Sequence, residues 1–305
     1  MEKVSLISRA ATLGFRILRI NEMWKKTGKE LRKVIDHKQA TESYEPPAKL
    51  SQQFNISKWE IEGHSYYVIS GKSQTTTSSK HILYLHGGGY VLKISSLHWD
   101  FIADMVEKVG CTVTVPMYPL APKYGHADAF GMLVPLYQIV AAKTPYEDIV
   151  IMGDSAGGGM SLALAQLLKL KNIPQPGQII LISPVMDMTF SNPEIKAVEA
   201  KDPIVAVPAV REIAEWYAGE KGIQHHLISP INGDSDGLGN ISIFIGTHDI
   251  VYPDVRKFRE LLMKQGIELN YYEYSRMLHV WPLFFFPESH KAREEIWRII
   301  QSGVS

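Results

Sequence analysis

Residues 148–160 read DIVIMGDSAGGGM, and MSLALAQLLKL continues from residue 160. An apolar run ends in G-D-S-A-G-G-G, and a helical pattern follows at once. The G-x-S-x-G core is short enough to recur by chance, so its flanks decide its meaning. Here they place Ser155 on a sharp strand-to-helix turn. Gly153 and Gly157 remove side chains that would collide in such a turn, and Gly158 and Gly159 let the helix approach a sheet closely. The Ala156 N–H, at the helix N-terminus, points where a carbonyl oxygen would sit. Ser155 is therefore a candidate nucleophile.

Outward from this turn, short apolar runs alternate with helical ones. KWEIEG, SYYVIS, HILYLHG, CTVTVPMY, IVIMG, QIILISP, ISIFIG and ELNYYEY are strand candidates, eight in all. PDVRKFRELLMKQG (253–266) reads as a helix, with Pro253 near its first position and Gly266 at its left-handed cap. Such alternation predicts a mostly parallel sheet with helices on both faces. Antiparallel pairing is expected only for the first two strands, which Gly63 joins too tightly for a crossover helix. The polar run GKSQTTTSSK (71–80) reads as a loop.

The stretch from about residue 192 to residue 227 breaks the alternation, being helical and long for a crossover. It is expected to be an insertion that joins residues 1–45 in a helical cap over one end of a core spanning residues 46–305. Within residues 1–45, Val4, Ile7, Ala11, Phe15 and Leu18 recur at helical spacing, so one face of that helix should pack on the protein, a membrane-surface or dimer role being the alternative.

Composition narrows the partners. The 305 residues are 45% hydrophobic and 21% charged, with 32 basic and 32 acidic residues. A balanced charge offers no field to gather nucleic acid. No segment reads as a signal peptide or a membrane span. The single cysteine, Cys111, excludes an internal disulfide and reads as a buried thiol, consistent with a reducing, cytoplasmic setting. A homodimer is open, with the N-terminal helix and an edge strand as candidate surfaces.

Ligands bind parallel sheets at the carboxyl ends of the strands, and the remaining chemistry falls there. HILYLHGGGY (81–90) puts three glycines after a strand, where backbone N–H groups can turn toward a substrate oxygen. A serine nucleophile needs a base, itself oriented by an acid. His279 follows the last strand by a short loop, whereas His290 falls in a C-terminal helix, His37, His225 and His226 in or near the expected cap, and His64 in an early turn. Asp249 lies just past the ISIFIG strand; Asp254 begins the next helix, and Asp234 and Asp236 precede the strand. His248 adjoins Asp249, and neighbouring side chains point apart. Ser155, Asp249 and His279 follow one another in the order of the α/β-hydrolase triad.

With HGGG at 86–89, YPLAP at 118–122, GDSAGG at 153–158 and DPI at 202–204, the chain resembles the hormone-sensitive-lipase-like (HGGG, or GDXG) carboxylesterases of the α/β-hydrolase fold, over about residues 80–290. The resemblance implies a serine carboxylesterase for short-chain acyl esters, working through an acyl-enzyme. Ser155 would be nucleophile, His279 base and Asp249 orienting acid, with an oxyanion hole from Gly88, Gly89 and Ala156, and His86 structural. An amidase or deacetylase using the same triad is an alternative, as is a ligand-binding protein on a hydrolase scaffold. The chain departs from the family pattern at Pro119 and Lys123, where arginine and glutamate are usual, and at Val280-Trp281 after the histidine. Both departures bear on substrate shape. Tyr90, Trp216, Tyr217 and Trp281 are candidate pocket residues, with Phe284 to Phe286 beside them. No residue spacing resembles a metal-ligand set, and no cofactor is expected.

Overall fold

The computed structural model describes residues 4–72 and 78–302. Eight strands form one sheet: β1 (Phe54–Ile61), β2 (His64–Gly71), β3 (His81–Leu85), β4 (Thr112–Pro116), β5 (Ile149–Asp154), β6 (Gln178–Ile182), β7 (Asn240–Gly246) and β8 (Asn270–Tyr274). Their spatial order is β1-β2-β4-β3-β5-β6-β7-β8. Each candidate run contributes a strand. The polar run at 71–80 falls between β2 and β3, with residues 73–77 outside the described residues.

From β4 to β8 all pairings are parallel. β2 is antiparallel to β4 as well as to β1, so the expectation of a single antiparallel pair is too narrow. A reversed strand inside a sheet opposes both neighbours. The tight Gly63 turn reveals the hairpin, but nothing local shows which strand lies beyond it.

Ten helices accompany the sheet among the described residues: α1 (Leu6–Ile17), α2 (Gly28–Thr41), α3 (Ala48–Gln53), α4 (Ser96–Val109), α5 (His126–Ala141), α6 (Ala156–Leu170), α7 (Ile195–Glu199), α8 (Val207–Ala218), α9 (Tyr252–Lys264) and α10 (Pro287–Ser302). Alternate strand residues face opposite layers, as period-two geometry requires. Leu83, Leu85 and Ile151 join one core with side chains of α5, α6 and α9, such as Leu133, Leu164 and Phe258. Ile82, Tyr84 and Met152 join the other with Trp99 and Phe101 of α4 and Trp297 of α10. Covered on both sides, β5 is buried at every position, which is why it reads as an unbroken apolar run. α9 starts with Pro253 in its first turn, and Gly266 follows it at φ 71°.

The N-terminal segment and the α7–α8 stretch touch each other. Gly28 N–H donates to Glu212 at 2.7 Å, and Arg16 donates to the Lys201 carbonyl at 3.1 Å. No helix among the described residues is long and apolar enough to cross a membrane. Cys111 is buried, and burial pushes its thiol up to about 12.

Candidate active site

Ser155 occupies the single residue between β5 and α6, at φ 51° and ψ −121°. This conformation is unfavourable for a side-chain-bearing residue and persists only where the surroundings impose it. They do so through close backbone approach. A Cβ on Gly153 would lie 2.4 Å from the Gly157 carbonyl oxygen, and one on Gly157 would lie 2.0 Å from that of Leu85. Gly159 is equally confined, 2.2 Å from the Val185 oxygen. Ser155 N–H donates to the Ile182 carbonyl at 2.9 Å, tying the turn to β6.

His279 reaches this serine from the loop after β8. Its Nε2 lies 2.8 Å from Ser155 Oγ, and its Nδ1 lies 2.8 Å from Asp249 Oδ1. Because an ionised carboxylate only accepts, Nδ1 carries the hydrogen and Nε2 accepts from the serine hydroxyl. The Val251 N–H holds the same Asp249 oxygen at 3.0 Å, and Ser183 Oγ accepts from Val280 N–H at 3.0 Å, fixing the histidine loop. His279 and Asp249 are both buried. Burial alone would lower the imidazole pKa, but the Asp249 charge and hydrogen bond outweigh it, and Asp202 and Asp154 add to the rise.

Asp202 is a neighbour that motif reasoning left without a role. Its carboxylate accepts from the amides of Ile204, Val205 and Ile250 at 2.8, 3.3 and 2.9 Å. Burial, then the Asp249 charge, push its pKa up. Asp202, Asp249 and His279 bring potential ligand atoms within 4.8 Å of one another. Those of His279 and Asp202 are already committed to hydrogen bonds. Asp249 Oδ2 has no hydrogen-bond partner among the described residues.

The glycine loop after β3 is held by Asp154, the residue before the serine. Asp154 Oδ1 accepts from Gly87 N–H at 3.0 Å and from the Tyr84 hydroxyl at 2.7 Å, while Oδ2 lies 3.3 Å from His98 Nε2. Burial acts to raise this carboxyl, but the charge and hydrogen bond of His98, the Tyr84 hydroxyl and His86 hold it below the ordinary range. A Cβ on Gly87 would meet Asp154 Oδ2 at 2.3 Å, so only glycine fits beneath the loop. Gly88 and Gly89 take φ 116° and 61°. Among the described residues their amides have no protein acceptor. The Ala156 N–H, at the start of α6, is likewise without an intrahelical acceptor. All three residues face the cavity that contains Ser155 and His279.

His86 stacks on Tyr118 with ring centroids 4.4 Å apart, its Nδ1 lies 2.7 Å from the Gly87 oxygen, and burial lowers its pKa to about 4. Lys123, at a departure from the family pattern, sits over the Tyr124 ring at 4.9 Å.

The cavity measures about 450 Å³ and is almost wholly apolar. Phe15, Ile20 and Trp24 of the N-terminal segment line it, as do Tyr90, Phe190 and Phe284, the last packed on Phe15 at 5.2 Å between ring centroids. Of the aromatic candidates, Tyr90 lines the cavity. Tyr217 lies behind it, stacked at 4.0 Å and fully buried. Trp216 borders a separate groove with Lys29 and Arg32. Trp281 is buried against Tyr274 at 5.0 Å. Neither Trp216, Tyr217 nor Trp281 touches the cavity. Phe284 does, whereas Phe286 packs in the core and Phe285 is exposed. The N-terminal wall was the least visible in sequence, because Phe15, Ile20 and Trp24 lie outside every chemical motif. His225 and His226 cluster with His126 away from the cavity, and His290 is exposed on α10.

A family profile described as alpha/beta hydrolase fold matches residues 82–283, and the chain belongs to that family. An esterase of Acinetobacter venetianus is 28% identical over 229 residues, 70% of this chain and 72% of that protein. An acetyl-hydrolase of Streptomyces hygroscopicus is 28% identical over 216 residues, again 70% of this chain and 72% of the relative. The fold is shared with a solved esterase of the bacterial hormone-sensitive lipase family, at TM-score 0.83 and 24% identity, over 99% of this chain and 100% of that one.

Proposed function

We propose that this protein is a serine carboxylesterase acting on short-chain acyl esters through an acyl-enzyme. The observation that carries the reading is the unbroken relay from Asp249 through His279 to Ser155, with two contacts of 2.8 Å. The relatives named esterase and acetyl-hydrolase support ester hydrolysis as the reaction class.

His279 Nε2 takes the proton as Ser155 Oγ bonds to the ester carbonyl carbon. The carbonyl oxygen becomes an oxyanion, accepting from the amides of Gly88, Gly89 and Ala156, which need no reorganisation. When the carbon–oxygen bond to the alcohol breaks, the imidazolium returns the proton to the leaving oxygen. Water then attacks the acyl-enzyme with His279 again as base, releasing the acid and restoring Ser155. Asp249 holds the ring and balances the imidazolium charge. The N-terminal segment and the α7–α8 stretch act as a cap, closing an apolar cavity whose modest volume favours short acyl groups.

p-Nitrophenyl acetate and butyrate should be hydrolysed, and Ser155→Ala should lower kcat by about a millionfold. Turnover that survives this substitution would overturn the reading. Matched ester and amide substrates separate an esterase from an amidase or deacetylase, with the ester preferred. A fluorophosphonate probe should label Ser155; a folded protein that resists it would be a binding scaffold instead.

A further inference from the structure

Helix α1 is apolar on two opposite faces. Val4, Ala11 and Phe15 pack inward on the core, as their spacing predicts, whereas Ile7 and Leu18, from the same expected stripe, are exposed at 59% and 71%. At about 100° per residue, Leu6, Ala10, Leu13 and Ile17 fall on one line on the far side. All four are exposed, Leu6 and Ile17 at 79% and 71%. The inner face cannot roll outward to hide them. Ser5 N–H and Ser5 Oγ donate to Glu288 of α10 at 2.6 and 3.0 Å, and buried Ser8 donates to the same carboxylate. The outer stripe is thus held toward solvent, which soluble surfaces avoid unless something covers it.

The charges around the stripe select its occupant. Between Val4 and Asn21 there are three arginines, Arg9, Arg16 and Arg19, and no acidic residue. All three are exposed, and Arg9 and Arg16 flank the stripe on one side. A second copy meeting this face across a two-fold axis would set arginines against arginines with no carboxylate on either helix to pair them. An apolar line flanked by cations suits an anionic lipid surface. At 12 residues, α1 can lie on a bilayer but not cross it.

The patch also runs into the cavity. Ile20, just beyond α1, is 46% exposed and lines the cavity wall with Phe15 and Trp24 of the same segment. We propose that the outer face of α1 docks on anionic phospholipid bilayers, setting the cavity mouth at the lipid surface so that membrane-partitioned esters enter directly. The docking stands on the surface alone; only the delivery clause rests on the ester-hydrolase reading.

Co-sedimentation of the full chain with phosphatidylcholine vesicles, with and without phosphatidylglycerol, tests it. Binding should require phosphatidylglycerol and weaken with salt. Leu13→Asp with Ile17→Asp should weaken it roughly a hundredfold, and Arg9→Gln with Arg19→Gln roughly twentyfold. Both double variants should keep the thermal stability of the wild type and its turnover of soluble p-nitrophenyl butyrate, since none of the four residues lines the cavity. Ser155→Ala should bind vesicles as the wild type does. A wild type that ignores the vesicles, a Leu13/Ile17 variant that binds unchanged, or a solution dimer that this variant splits would each overturn the proposal. Soluble-ester turnover without vesicle binding sinks docking alone; vesicle binding without ester turnover sinks the esterase reading and leaves docking standing.

Discussion

The two walls of the cavity are built by opposite rules. On the sheet side, Ser155, His279 and the glycine loop are each fixed by several buried contacts, and the backbone approaches so closely that Gly87, Gly153 and Gly157 leave no room for a Cβ. On the N-terminal side, Phe15, Ile20 and Trp24 line the cavity with largely apolar side chains. A reaction that needs atoms placed within a fraction of an ångström is met by over-determined backbone. A pocket that needs only volume and dryness is met by side chains that can be exchanged. Substitutions on the first wall should therefore change rate, and those on the second should change preference.

The strongest strike at the first wall, short of removing the serine, is Asp249→Asn. The imidazole would lose the partner that selects its tautomer, and kcat/KM for p-nitrophenyl butyrate should fall by about ten-thousandfold. The pH profile supplies a sign. In the proposed mechanism His279 must be neutral to act as base, and Asp249 raises its pKa, so activity should climb with pH through a value above the ordinary histidine one. In the variant that rise should move to lower pH. An unmoved profile would mean that Asp249 does not govern the protonation of His279.

Asp154→Asn strikes the support beneath the glycine loop. The Gly87 amide, the Tyr84 hydroxyl and His98 share this buried carboxylate, so the folded state should lose about 3 kcal/mol. Turnover should drop about tenfold or more as the loop loosens. The Asp154 pKa is depressed on folding, so its stabilisation is present above the ordinary carboxylate value and fades as pH falls through the depressed one. The Tm difference between wild type and variant should accordingly shrink in strong acid.

These two carboxylates were unequally visible in the sequence, and the reason is physical. Asp249 was visible because it lies just past a strand, at the sheet end where ligands bind, and the strands themselves follow from the same periodic runs, whereas their spatial order, with β4 ahead of β3, does not. Asp154 sits inside the GDSAG motif, yet its work is to accept from groups on β3 and α4, about 70 and 56 residues away. Asp202 likewise acts on Ile250, 48 residues on. Partnerships of that length are properties of the assembled sheet. The β2–β4 pairing and the N-terminal cavity wall escaped for the same reason.

Trp24→Ala probes the second wall. The Trp24 ring lies against Gly89, where an added Cβ would be 2.7 Å from its Cη2. Truncation should lengthen the cavity and leave the relay intact. Turnover of p-nitrophenyl acetate should change little, while kcat/KM for octanoate relative to butyrate should rise by about tenfold. A large loss with acetate would show that the N-terminal wall also positions the glycine loop, and the contrast between the walls would fail.

The smallest expected effect is the most discriminating. Trp216 and Tyr217 are neighbours on α8, and sequence alone made them equal candidates for the pocket. The helix turns them apart: Tyr217 stacks on Tyr90 behind the cavity, and Trp216 borders a groove near Lys29 and Arg32. Trp216→Ala should therefore change kcat/KM less than about twofold across acyl chain lengths, with only a modest stability cost for a half-buried side chain. Tyr217→Ala should open a void beside Tyr90 and alter chain-length preference together with stability. Should Trp216→Ala shift preference as strongly as Trp24→Ala, α8 must move over the cavity during turnover, bringing its outer face into contact with substrate.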